Sequence, residues 1–515
     1  MTAVQEGGTP TMEIPMHLEP EPQNAKIAAL LSQPYQGRML IGGAWVEAEG
    51  GATLDSLDPV SGKVVGLVPD ASAADIDRAV AAARAAQPGW AATPPAERAR
   101  ILWKIADVIE ANIDELSELE ALDQGKPLYV ARWAEIPGAV GQFRFFAGQA
   151  MAIEGSTITP SITYQPPGKQ MRAWTLREPV GVVAAIVPWN SPVVLTAMKL
   201  APAFAAGCAV VLKPAEDTSL TAMRLGELIE EAGLPAGVLN VVTGRGATAG
   251  SALAAHPGVD KVAFTGSTAT GRAILDASKG NLKRVSLELG GKSPVILMGD
   301  ADLDLAIGGA ANAIFFNAGQ VCVAGSRAYV HSSIYDRVIE GLASYAGGIA
   351  LGHGLNAQTQ MGPLVSARQA ERVDRFIAGA RGEGAEIVAG GERLGPNGTF
   401  ITPTVIAGVK PGMEIVREEV FGPVLAVQRF DDAEEVVAAA NDSVYGLAAS
   451  VWTESLSAAH RLSSRIKAGT VWINCHSMYD ASLPIGGMKQ SGYGRDSGRE
   501  ALENYLETKT VCAVV

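Results

Sequence analysis

In the run Gly181-Val182-Val183-Ala184-Ala185-Ile186-Val187-Pro188-Trp189-Asn190-Ser191-Pro192, seven small or branched apolar positions end abruptly in a turn bracketed by prolines. No charge occurs from Pro179 to Met198, a length that could nominally span a bilayer. Pro188, Asn190 and Pro192 interrupt it, and two prolines and an amide would be costly within a lipid-facing helix. A buried strand entering an irregular turn explains the run better. The same texture recurs at Ala209 to Leu212, Val238 to Val242 and Lys261 to Phe264, with helical stretches such as Ser219 to Ala232 between. That alternation is βαβ rhythm. It implies a parallel sheet whose ligands sit at the carboxyl ends of its strands. A second alternation starts at Ser293 and passes through Ala328 to His331, Glu386 to Val388, Thr404 to Ile406, Val424 to Val427 and Val471 to Asn474. The fold class is therefore α/β, with a second α/β domain after the first.

Upstream, residues to about Gly37 are rich in Pro, Glu, Met and Gly without sustained periodicity, which reads as a loosely held leader, with order beginning near Met39. Leu40 to Val46 places two apolar arms around Gly42 and Gly43, a hairpin signal. A helix is expected from Ser72, capped by Asp75, with Ile76 and Val80 on one face. A second, from about Pro95 to Leu122, repeats Ile101, Ile105, Val108 and Ile109 and stops near Gly125 and Pro127.

The 515 residues exceed what one core supports, so two or more domains are expected. A formal charge of −13 argues against nucleic acid or an anionic membrane as partner. Cys208, Cys322, Cys475 and Cys512 have neither disulfide-framework nor zinc spacing, and the chain opens without a secretory signal, so a reducing, cytoplasmic compartment is expected. The six histidines form no metal-binding spacing, and no metal is assigned.

Three segments carry chemistry. Phe316-Asn317-Ala318-Gly319-Gln320-Val321-Cys322 ends a helix-periodic stretch with a single thiol beside glycine and amide donors. A free cysteine is commonly a buried structural thiol, but a loop beside a helix can supply the positive potential and donors that a nucleophilic thiolate needs. Glu288 stands between Leu287 and Leu289, where burial should raise its pKa toward that of a general base. The alternative is a strand-end carboxylate capping the backbone near Gly290 and Gly291. Asn190 could donate to an oxyanion, or could form an Asx-turn beside proline. Two further segments suit a dinucleotide. Glu216 in Lys213-Pro214-Ala215-Glu216 follows a strand and could bind ribose hydroxyls. Phe264 to Gly271 offers glycine, hydroxyls and a helix N-terminus for pyrophosphate, or simply a capped glycine turn. No GxGxxG stands at a strand-to-helix turn.

Together these segments resemble the aldehyde dehydrogenase superfamily from about Met39 to the C-terminus. The resemblance rests on Pro188-Trp189-Asn190, Lys213 to Glu216, Phe264-Thr265-Gly266-Ser267, Glu288 to Lys292, Gly319 to Cys322, Glu418 to Pro423 and Pro484 to Gly492, in that order. It implies a Rossmann-like NAD-binding domain lacking the glycine fingerprint (39–156 and 180–289), a catalytic domain (290–490) and a small β oligomerisation element (157–179 and 491–515), following the 1–38 leader. It also implies that Cys322 attacks an aldehyde, that Asn190 and the Cys322 N–H hold the oxyanion, and that Glu288 activates the water that hydrolyses a thioester. Lys199 matches a family lysine near the site. Pro188, Trp189, Lys213, Glu216, Gly266, Ser267, Leu289, Glu419 and Phe421 are implied to hold the cofactor, with Glu216 favouring NAD over NADP. A homodimer or homotetramer is implied as well.

Ser191, Leu195 and Met198 replace bulkier groups common in the family, and Ile485 stands where phenylalanine is frequent. With Phe316, Val321, Val323 and Tyr479 they give an apolar and aromatic mouth suited to a hydrophobic, aryl or arylacetic aldehyde. The segment Asn474 to Pro484 is similar to phenylacetaldehyde dehydrogenases. A non-catalytic family member would be expected to lose the thiol, base or amide, and all three are present. A thiol hydrolase would leave the cofactor segments idle and would have only His476 as a candidate imidazole.

Overall fold

The computed structural model describes residues 16–515. Its first sheet has eight strands, and five of them form the parallel centre: Arg284–Glu288, Lys261–Thr265, Val182–Ile186, Ala209–Lys213 and Leu239–Val241, in that spatial order. The period of two along the strands divides the packing. Val183, Ala185, Val210 and Leu212 face a core built with helices Pro95–Ala111, Ile136–Ala150, Pro192–Ala206 and Leu220–Glu231. Val182, Ala184, Ile186, Ala209 and Val211 face the opposite core, built with Ala73–Ala92, Ser251–Ala255 and Thr268–Ser278. Both faces are covered, which is why these strands read as continuous apolar runs. Each fully buried valine or isoleucine contributes about 1.5–3 kcal/mol of transfer free energy.

The second sheet runs Glu386–Ala389, Thr404–Ala407, Val424–Phe430, Arg327–His331, Pro294–Leu297, Ala448–Trp452 and Thr470–Ile473, all parallel except the first. A separate antiparallel sheet joins Thr157–Ile158, Met171–Pro179 and Leu506–Val514.

Several expectations meet the coordinates directly. Met39–Ile41 pairs antiparallel with Ala44–Val46 across Gly42 and Gly43, both with positive φ. Ser72 and Asp75 form a reciprocal capping box at the start of Ala73–Ala92. The expected membrane-length run is a strand, a turn and a helix that begins at Pro192, and among the described residues no helix is long and apolar enough to cross a membrane.

Others need correction. The expected leader is held rather than loose over its described part: Met16–His17 pairs with Leu351–Gly352, Ile27 is buried, and Tyr35–Gln36 pairs with Gly66–Leu67. Its remainder, residues 1–15, lies outside the described residues. The single helix expected from Pro95 to Leu122 is two, Pro95–Ala111 and Ile113–Gln124, because Asn112 leaves helical geometry (φ −111, ψ 22) and turns its side-chain amide back to the Val108 carbonyl. The first sheet also acquires antiparallel edges. Met39–Ile41 joins one side and Gly492–Tyr493 the other, so the chain just after residue 490 still belongs to this sheet.

Candidate active site

The carboxyl ends of the first sheet's parallel strands and the amino ends of the second sheet's strands supply the site. After Ile186 the chain turns through Pro188, Trp189 and Asn190 into helix Pro192–Ala206, whose first-turn proline suits its N-terminus. From the second domain, helix Leu303–Phe315 ends and Asn317, Ala318 and Gly319 take three successive left-handed conformations (φ 49, 53 and 69). For asparagine and alanine that geometry costs of order 1–3 kcal/mol each, so it persists only where surroundings impose it. Here they do. Asn317 Nδ2 donates to the Asn190 carbonyl at 3.0 Å, Gln320 Nε2 to the Asn317 carbonyl at 3.1 Å, and the Val365 N–H to Gln320 Oε1 at 2.9 Å. A Cβ on Gly319 would overlap the Gly422 carbonyl.

This strained turn leads to Cys322, which is half-buried. Asn190 Nδ2 donates to the Gln320 carbonyl at 3.0 Å, linking positions 130 residues apart. An amide nitrogen has two hydrogens, so one remains for a substrate oxygen. The Val323 and Cys322 N–H groups favour the thiolate, as the sequence suggested, but they are outweighed. Burial, then the Glu419 and Glu288 carboxylates, push the Cys322 thiol up to about 12. A thiol of that acidity rests protonated near neutral pH.

Glu288 ends strand Arg284–Glu288, where its Oε1 is buried without a hydrogen-bond partner. Burial, followed by the negative charge of Asp496, raises its pKa well above the usual carboxylate range, against opposition from Lys199 and Arg495. Cβ atoms are excluded from the space beside it, since one on Gly486 would lie 2.8 Å from Oε1. Lys199 is fully buried and bonded to Asp496 Oδ2 at 2.6 Å. Its positive charge opposes the rise in the Glu288 pKa.

Around this centre Ser191, Leu195 and Met198 lie at one-turn spacing on a single helix face, with the first two partly open and Met198 buried. Phe316, Val321 and Ile485 are half-buried, and Tyr479 is exposed, its ring edge-to-face with Trp472 at 5.8 Å. Val323 is buried with Leu447, Ala448 and Trp472, so it backs the wall rather than opening onto the mouth. His476 donates one ring nitrogen to the Val323 carbonyl (2.9 Å), and its other nitrogen lies 3.0 Å from Ser450 Oγ. Burial depresses its pKa to about 4. It supports the turn after Cys322 and is not a base facing it.

The aldehyde dehydrogenase family model matches residues 45–511. The chain belongs to this family. It is 50% identical to a phenylacetaldehyde dehydrogenase of Pseudomonas fluorescens, over 95% of this chain and 98% of the relative. It is 46% identical to a mitochondrial benzaldehyde dehydrogenase of Antirrhinum majus, over 94% and 91%. Among solved structures, an NAD+ complex of an aldehyde dehydrogenase from Bacillus cereus superposes with a TM-score of 0.93 at 45% identity, covering 96% of this chain and all of that one.

Of the residues implied for the cofactor of an aldehyde dehydrogenase, those from Pro188 to Leu289 follow strands of the first sheet at its carboxyl edge, and Glu419 and Phe421 precede strand Val424–Phe430 of the second. Lys213 and Glu216 follow the strand Ala209–Lys213, and Glu216 leaves its side chain 38% exposed. Lys213 Nζ is 2.6 Å from the Pro214 carbonyl and 3.8 Å from Glu216 Oε2. Gly266 and Ser267 follow Lys261–Thr265, and Ser267 caps the eleven-residue helix Thr268–Ser278. Leu289 packs over Gly271, where a Cβ would crowd it. Glu419 Oε1 accepts the Gly291 N–H at 3.0 Å, and burial pushes its pKa up to about 7. Trp189 and Phe421 meet edge-to-face at 5.2 Å, joining the two domains beside this crevice. An exposed carboxylate, a cation and a helix N-terminus on one edge fit a dinucleotide's ribose and pyrophosphate.

Asp496 and Glu135 escaped the sequence reading. Asp496 stands among glycines in Gly494-Arg495-Asp496-Ser497-Gly498, a carboxylate in a turn just past a family-like segment, which was the available signal. Glu135 lies inside an ordinary helical pattern and offered none.

Proposed function

We propose that this aldehyde dehydrogenase oxidises hydrophobic, aromatic aldehydes to carboxylic acids with NAD. The observation that carries the reading is that the Asn190 amide holds the Gln320 carbonyl two residues before Cys322, whose thiol lies within the field of Glu288, a carboxylate with one buried oxygen left unpartnered. In this reading Cys322 Sγ attacks the carbonyl carbon while its proton passes to Glu288. The aldehyde oxygen is held by the free Asn190 N–H and the Cys322 backbone N–H. When bound, the dinucleotide supplies the hydride acceptor that turns the hemithioacetal into a thioester on Cys322. Glu288 gives that proton up to solvent and then takes one from water as the water oxygen bonds to the acyl carbon; the carbon–sulfur bond breaks, the departing sulfur takes the proton back from Glu288, and the thiol returns as the acid is released. The raised pKa of Glu288 suits a base working near neutrality.

The aromatic preference is supported by the half-buried apolar mouth and by the names of the phenylacetaldehyde and benzaldehyde relatives. Glu216 supports NAD over NADP, since a carboxylate there repels a 2′-phosphate. Assembly as a homodimer or homotetramer is supported by exposed Ile158, Trp174, Leu176 and Val514 on the three-stranded antiparallel sheet. Four free cysteines support a reducing, cytoplasmic setting. The test is reduced-nicotinamide formation from NAD and from NADP with aliphatic, benzoic and arylacetic aldehydes. Turnover should favour aryl aldehydes with NAD and vanish in Cys322→Ser. Preference for short aliphatic aldehydes would overturn the substrate class.

A further inference from the structure

The apolar mouth contains one polar assembly that the oxidation chemistry does not use. Ser191, the residue after the oxyanion-holding Asn190, is partly open, and its Oγ donates to Glu135 Oε1 at 2.9 Å. Glu135 is 5% exposed, and Lys126 Nζ lies 3.0 Å from that same oxygen and 2.7 Å from Glu120 Oε1. Lys126 and Glu120 are both fully enclosed. Glu135 Oε2 is buried without a partner. The carboxylate is set by a local irregularity, since Ala131–Glu135 forms a π-helical turn leading into Ile136–Ala150. Next to it, Gly138 leaves only enough room for Val194, because a Cβ there would lie 3.1 Å from Val194 Cγ2. The Tyr479 hydroxyl feels the charges of both Cys322 and Glu135, so the two lie within electrostatic reach of the same ring.

The chemistry of this assembly is directional. A serine hydroxyl has one proton and two lone pairs, and here the carboxylate holds the proton. What Ser191 turns toward a substrate is therefore an acceptor, made more basic by donating its own proton to the Glu135 carboxylate. Burying a carboxylate and a lysine beside an apolar mouth is costly unless well paired, and replacing such groups by hydrophobic ones is often neutral or stabilising. An assembly of this kind is better suited to recognition than to stability.

We propose that Ser191, oriented by Glu135, accepts a hydrogen bond from a hydroxyl group on the substrate, so that hydroxyaryl aldehydes are preferred over their unsubstituted counterparts. This rests on the aromatic reading above. Ser191 is the specificity residue, and Glu135 acts through it as a positioning residue. Ammonium-bearing aldehydes are disfavoured, because Glu135 is buried and its Oε1 is already engaged by both Ser191 and Lys126.

The experiment compares kcat/KM for phenylacetaldehyde, its ortho-, meta- and para-hydroxy derivatives and an aminoaldehyde, in the full-length protein with NAD. At least one hydroxyl isomer should exceed phenylacetaldehyde by about tenfold, the effect of one net hydrogen bond. Ser191→Ala should reduce that ratio to about one. Glu135→Leu frees the serine proton and should lower the ratio as well, while Ser191→Thr, which keeps the hydroxyl, should retain most of it. Equal use of all aryl aldehydes by the wild type, or a preference surviving in Ser191→Ala, would overturn the proposal and leave the aromatic reading standing. Failure to turn over any aryl aldehyde while aliphatic ones react would overturn both. Preference for the aminoaldehyde would show free negative charge at Glu135 and also overturn it.

Discussion

Cys322 and Cys208 make an instructive pair, because the two thiols have the same resting acidity and opposite surroundings. Burial pushes each up to about 12. Cys208 sits between helix Pro192–Ala206 and strand Ala209–Lys213, fully enclosed, its Sγ 3.5 Å from the Tyr505 carbonyl. Cys322 stands at the end of a strained turn, partly open, with an amide donor beside it and a carboxylate of raised pKa within its field. Neither is a ready thiolate. On the proposed mechanism, what separates nucleophile from core thiol is access together with a base able to remove the proton as the bond forms, not the acidity at rest.

The largest effect that could break this contrast is at Cys322 itself. Cys322→Ser should reduce aldehyde turnover at least about 10⁴-fold, in the range seen when a covalent nucleophile is removed. Dinucleotide binding, followed by fluorescence quenching, should persist. Next come the groups that distinguish the Cys322 environment. Glu288→Gln should cost about 10²–10⁴-fold in steady-state rate, since the base serves both thiol and water. Rapid-quench detection of acyl-enzyme would show which of the two steps suffers more. Asn190→Ala should cost about 10²–10³-fold, the usual effect of losing one oxyanion donor. A loss confined to KM would mean that the amide only binds substrate.

How far the contrast was legible in the sequence varies with the range of the interactions involved. The strands around 182–186, 209–213 and 261–265 could be read because each is buried on both faces, and continuous apolar character is a local property. Cys322, Glu288 and Asn190 stood out because each is a polar group at the end of an apolar element. Asp496 was invisible by the same logic: its partner Lys199 lies 297 residues away, and nothing local marks a carboxylate in a glycine-rich turn as buried. The docked segment 16–38 escaped for that reason too, since its two-residue strands exist only through pairing with Leu351–Gly352 and Gly66–Leu67. The break at Asn112 was hidden because apolar periodicity continues across it. The sign of the potential at Cys322 depends on Glu419, brought in from the second sheet.

Asp496 offers a sharper version of the comparison, because it alters the base without touching the thiol. Its charge raises the Glu288 pKa, so Asp496→Asn should lower it, and the unpaired Lys199 cation left behind acts in the same direction. The acid limb of the kcat profile, set by ionisation of Glu288, should move to lower pH by roughly one unit. Breaking the buried pair should also destabilise the fold by about 3–5 kcal/mol. A limb that stays put would mean that another group controls it.

Stability against pH gives a smaller effect of definite sign. Glu419, pushed up to about 7 in the folded protein from an ordinary 4.5, keeps its proton where the unfolded chain has lost it. The folded state then binds more protons, so this group's contribution is fully present below about pH 4.5 and is lost as pH rises through about 7. Glu419→Gln should flatten that part of a denaturation midpoint series. An unchanged slope would place the titration elsewhere, with Asp123, also raised to about 7 by burial, the next group to replace.

The smallest expected effect is the control that completes the pair. Cys208→Ala removes a thiol of the same acidity as the nucleophile, but one enclosed between helix and strand and 3.5 Å from a backbone carbonyl. It should lower unfolding stability by about 0.5–3 kcal/mol, the common range for a core truncation, and leave kcat and the pH profile unchanged. Iodoacetamide should label Cys322 in the native protein, with a rate rising as Glu288 ionises, and should reach Cys208 only after unfolding. If Cys208 reacted natively at a comparable rate, access would not be the distinction, and the strained turn at 317–319 would lose its role in presenting the nucleophile.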